Sequence, residues 1–94
     1  MTDEDKKLLH DFRDAREKYD TASLVAHGES TPATQQAAIG VYRTLEALRD
    51  LEDESLRKLA EEALQYWDND YRGRGQIAQQ LLILSCETPR HNIN

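Results

Sequence analysis

Little in this sequence can crosslink a chain, carry a metal or cross a membrane. A single cysteine, Cys86, excludes an intramolecular disulfide and fits a reducing compartment. No apolar run approaches the roughly 20 residues of a membrane span, and the chain opens on Asp3, Glu4 and Asp5 rather than on a basic segment ahead of an apolar core. These features predict a soluble, cytoplasmic protein. His10, His27 and His91 lie far apart, with no Glu-x-x-His or paired-cysteine spacing, so no zinc or di-iron template is filled. Walker and Rossmann glycine spacings are absent, as is any repeat of 20–50 residues. Neither a nucleophile with its base nor a carboxylate pair in an apolar setting can be assembled, and the expectation is a non-enzymatic protein without a cofactor.

What is present is charge and period. Charged residues make up 32% of the 94, above the roughly 25% of an average soluble protein, and the formal net charge is −6. Residues 1–70 carry seventeen acids and nine bases, whereas residues 71–94 carry one acid and three bases, so the basic excess sits at the end of the chain. The acid clusters at Asp3–Asp5, Asp50–Glu54 and Glu61–Glu62 disfavour direct binding to nucleic acid. Interleaved Lys and Arg make them solvated faces in the plainer reading, and a phosphate-backbone mimic in the sharper one.

The apolar residues recur at helical spacing throughout, which predicts an all-α chain: one domain, built as an antiparallel hairpin or small bundle of three to four helices. Thr2 caps a helix over 3–27, whose stripe is Leu8, Phe12, Ala15, Tyr19, Ala22 and Ala26. His27 and Gly28 close it, and both His10 and His27 read as solvated. Thr31-Pro32 starts a second helix over 32–51, with Ala38, Val41, Leu45 and Leu48 inward. A short connector makes the two antiparallel, with Phe12 and Tyr19 facing Val41, Leu45 and Leu48.

Asp53 or Ser55 caps a third helix over 55–72, and a fourth spans 76–87, followed by a frayed tail over 88–94. The stripe Leu56, Ala60, Ala63, Trp67, Asp70, Arg74, Ile77, Leu81 and Leu84 keeps a spacing of 4 and 3 across both. One bent helix and two jointed helices both fit it; Gly73 and Gly75 favour the joint, since glycine costs a helix interior about 1 kcal/mol. The run Leu81-Leu82-Ile83-Leu84 is apolar on nearly every side, more than a small bundle is expected to cover, so Ile77, Leu81, Leu82 and Leu84 are expected at a homo-oligomer interface. Cys86 just beyond reads as a buried small hydrophobe.

One segment carries candidate chemistry. Asp68-Asn69-Asp70-Tyr71-Arg72-Gly73 opens like a calcium loop, but Arg72 at the fifth position and Gln79 at the twelfth exclude one. Tyr71-Arg72-Gly73-Arg74-Gly75 combines exposed backbone N–H groups, two guanidinium forks and a helix start at Gln76, the parts of an anion site. Tyr66, Trp67 and Tyr71 add aromatic surface for a base or a protein partner. The plainer reading is a hinge whose arginines pair with Asp68, Asp70 or the acidic face of another helix. Two functions follow as expectations. The first is a regulator or inhibitor that binds another protein through a helical surface, with Trp67, Tyr71, Arg72 and Arg74 as contacts. The second is an oligomer that binds a nucleotide or other small anion near Tyr71–Gly75.

Overall fold

The computed structural model of the chain describes residues 2–87, and the predicted tail over 88–94, with His91, lies outside them. Four helices follow one another: α1 (Asp3–Val25), α2 (Pro32–Arg49), α3 (Glu54–Gln65) and α4 (Gln76–Glu87). Among the described residues none of these helices is long and apolar enough to cross a membrane.

Local chemistry sets three of the four starts. Thr2 and Asp5 form a reciprocal box at α1: Asp5 N–H donates to Thr2 Oγ1 at 3.1 Å and Thr2 N–H to Asp5 Oδ2 at 3.1 Å. Thr31 and Thr34 repeat the arrangement at α2, with Pro32 in the first turn. Asp53 rather than Ser55 caps α3, its Oδ1 accepting from Leu56 N–H at 3.1 Å. Each such cap is worth about 1 kcal/mol.

The helices close a ring in which α1 packs on α2 and α4, and α3 packs on α2 and α4. Leu9, Phe12 and Tyr19 of α1 meet Ala38, Val41, Leu45 and Leu48 of α2, Leu56, Ala60 and Ala63 of α3, and Ala78 and Leu81 of α4 in one core. The predicted facing of Phe12 and Tyr19 with Val41, Leu45 and Leu48 thus lies inside that core.

Several expectations are corrected. Leu81 is fully buried by its own chain, and Ile77, Leu82 and Leu84 pack on the same core, so four helices in a ring do cover most of the apolar run. Ile83, 48% exposed, is the part left over. His10 is buried rather than solvated, one position from Leu9 on the inward face of α1. Cys86 is exposed, because the inward position at that turn belongs to Ser85. α1 and α2 each end two residues before the predicted boundary.

The largest difference is at α3, which stops at Gln65 instead of continuing to 72. A ten-residue connector, 66–75, follows. Its first part closes as a Schellman-type turn: Arg72 N–H donates to Trp67 O at 2.7 Å and Tyr71 N–H to Asp68 O at 3.2 Å. This places Tyr71 (φ 52°), Arg72 (φ 58°) and Gly73 (φ 84°) in the left-handed region consecutively. For the two residues that carry a Cβ the cost is on the order of 1 kcal/mol each. Helical periodicity in the sequence does not register this cost, which is why the helix is over-extended by pattern alone.

Candidate functional site

The connector is organised around Asp70. Its residue is only 5% exposed, and its carboxylate faces the first turn of α4, accepting from Ile77 N–H through Oδ1 and from Ala78 N–H through Oδ2, each at 3.0 Å. Its main-chain carbonyl accepts from the N–H groups of Gly73, Arg74 and Gly75 at 3.2, 3.1 and 2.9 Å. One residue therefore satisfies five backbone donors, two of them the amides that the start of a helix leaves orphaned. The adjoining helix dipole favours the negative charge.

Two glycines make this closure possible. A Cβ on Gly75 would run into the Asp70 carboxylate. One on Gly73 would lie 2.8 Å from Val41 Cγ1, so the connector's backbone sits directly against α2.

The four contact residues expected from sequence go to different places. Trp67 turns inward, partly buried on the core, with the Tyr42 ring edge-on at 5.1 Å and 86°. Arg74 reaches α1, where its Nε lies 3.3 Å from Asp20 Oδ1 and its guanidinium sits 5.0 Å above the centre of the Tyr19 ring. Arg72 stays at the surface, 3.9 Å from Asp68, an exposed pair worth about 1 kcal/mol at most. Tyr71 is 72% exposed. Both pairings fall among those the hinge reading expects, Asp68 for Arg72 and an acid on another helix for Arg74, while Asp70 takes neither arginine.

The predicted anion site therefore has an occupant from its own chain: the amides at the start of α4 hold the Asp70 carboxylate. Asp68 and Asp70, paired in the calcium-like pattern, point to solvent and to α4 respectively. Among the described residues, no group of three or more His, Cys, Asp or Glu is placed to hold a metal ion.

Sequence reasoning missed Asp70 as the centre of the connector, and Tyr42 as its neighbour on α2. One signal was available. Gly75 immediately precedes α4 and has no side chain to cap it, which leaves the first amides of α4 open to an acceptor from elsewhere in the chain.

Aromatic side chains stand exposed around this hydrogen-bonded connector. Tyr66 and Tyr71 within it are exposed, as are Tyr42 and Ile39, three residues apart on α2. Leu24, exposed at the end of α1, borders a shallow depression shared with Asp20, Ser23, His27 and Arg74. Comparison with protein-family models, with curated proteins and with solved structures yields no match to this chain.

Proposed function

We propose that this chain is a non-enzymatic cytoplasmic protein that binds another protein through the aromatic surface around the 66–75 connector. It regulates or inhibits that partner by covering part of it. The observation that carries this reading is the exposure of Tyr66 and Tyr71 in the connector and of Tyr42 against its Trp67, beside a backbone held by Asp70. Aromatic side chains are over-represented where binding energy concentrates, and a surface already ordered loses little entropy on docking. Arg72, and Arg43 one turn from Ile39, favour acidic groups at the partner's rim. Acid clusters on α1 and before and along α3 weigh against nucleic acid as the partner.

We also infer self-association in which Ile77, Leu81, Leu82 and Leu84 take part. The alternative, a nucleotide or other anion near Tyr71–Gly75, has the arginines in its favour, but such a ligand competes with Asp70 for the same amides.

An affinity pull-down from the native cytoplasm, with mass spectrometry of proteins and small molecules, tests the reading when run with the wild type beside Tyr66→Ser/Tyr71→Ser. A protein retained by the wild type and lost by the equally helical variant supports it. Identical capture by both chains refutes the docking surface. A co-purified ligand absorbing at 260 nm favours the alternative.

A further inference from the structure

We infer that α4 is an exchangeable arm: in a dimer, α3, the connector and α4 become one continuous helix, and each α4 fills the place between α1 and α3 of the other copy. This rests on the self-association proposed above and specifies its form.

The sequence contains two incompatible instructions for residues 66–75. One is the stripe Leu56, Ala60, Ala63, Trp67, Asp70, Arg74, Ile77, Leu81, Leu84, which keeps a single seam over a helix of about 50 Å. Only Asp70 and Arg74 interrupt its apolar character. They are opposite charges four residues apart, in the order that stabilises a helix. The other instruction is the closed connector, with its Asp70 cap and its contact of Gly73 on Val41.

The local balance between the two is narrow. Closing places Tyr71 and Arg72 in the left-handed region, a strain that a straight helix removes. Straightening places Gly73 and Gly75 inside a helix, a penalty of comparable size. The cap at α4 disappears in the straight form, and so does the need for it, because the amides of Ile77 and Ala78 then find partners one turn earlier in the same helix.

Burial of α4 is conserved through the exchange, while the contacts of Gly73 on Val41 and of Arg74 on Asp20 and Tyr19 are given up. Ala78, Leu81 and Ser85 meet the same α1 and α3 surfaces whether those belong to their own chain or to a second copy. The reciprocal arrangement closes on itself as a two-fold dimer, so it ends at two chains rather than growing. A strained hinge joining an arm to its groove is the setting in which such exchange occurs.

Two opposed variants test this. Gly73→Ala/Gly75→Ala penalises the closed connector and favours the helix; its dimer fraction by light scattering at equal concentration should rise at least tenfold, with stronger ellipticity at 222 nm. Tyr71→Gly/Arg72→Gly does the reverse and should be monomeric at 1 mM, where the wild type shows dimer.

Exchange is read directly by a short bis-maleimide joining Arg16→Cys to Gln79→Cys in a Cys86→Ser background, since Arg16 Nη1 donates to Gln79 Oε1 at 2.9 Å between α1 and α4. An exchanged dimer gives covalent dimers on a denaturing gel. Dimers whose crosslinks stay within one chain overturn the exchange while leaving self-association standing. Monomers throughout, in wild type and alanine pair alike, overturn both. Should the alanine pair not fold, equal masses for the wild type and the glycine pair at 1 mM overturn the exchange.

Discussion

Removing the Asp70 carboxylate should be among the most damaging polar substitutions available in this chain. Asp70→Ala leaves two amides at the start of α4 without their acceptor, and the Ala78 amide is buried. An ordinary cap deletion costs about 0.5–2 kcal/mol, and a buried unsatisfied donor about 1–3 kcal/mol, so a loss of roughly 2–4 kcal/mol is expected. For a domain of this size that lowers Tm by on the order of 10–25 °C. Asp70→Asn keeps one acceptor oxygen but turns an NH2 group toward the second amide, so it should fall about midway between Asp and Ala. Urea unfolding followed at 222 nm at low micromolar concentration supplies all three stabilities. Because the cap is buried, the difference between wild type and Asp70→Ala should survive 0.5 M salt, unlike a surface ion pair. A loss under about 0.5 kcal/mol for Asp70→Ala, on a scale where surface changes already produce that much, would refute the capping role.

Phe12→Ala empties the centre of the core and should cost roughly 3–5 kcal/mol by chemical unfolding. Leu81→Ala should cost about 2–5 kcal/mol while Ile83→Ala costs under about 0.5 kcal/mol, a contrast that checks which side of α4 faces its own chain. Arg72→Ala should change stability by less than about 0.5 kcal/mol. Arg74→Ala, which loses both Asp20 and the Tyr19 ring, should cost about 0.5–1 kcal/mol, and 0.5 M salt should remove part of that difference.

The sequence is legible where structure is local. Thr2, Thr31-Pro32 and Asp53 act on amides within three residues of themselves, and their signals can be read along the chain. Asp70 acts seven and eight residues away, through a turn made by left-handed residues. Gly73 announces such a turn, but Tyr71 and Arg72 do not, so the sequence pattern carries the helix on to 72. The burial of Leu81 within its own chain is illegible for a different reason: how much apolar surface a ring of helices covers depends on how the ring closes, and α1 meeting α4 is the longest-range fact in the fold. The aromatic and arginine residues of the connector were found by composition, but their divergence was not, since Arg74 finds its partners on a helix more than fifty residues earlier.

The ring also suggests an order of assembly. Three of its four interfaces join helices adjacent in sequence, and the α1–α2 hairpin is the most extensive of them, while the interface that joins the two ends of the chain is the least extensive. Partners that are mostly neighbours in sequence favour the fast folding typical of helical bundles, on the order of microseconds to milliseconds. The hairpin is therefore expected to supply the early nucleus and α4 to dock last, once α1 and α3 form the surface it needs. Read in reverse, α4 is the cooperative unit that opens first. Its amides should exchange with deuterium through a partial opening at lower free energy than global unfolding, whereas those of Val41, Leu45 and Leu48 in α2 should exchange only when the whole chain unfolds.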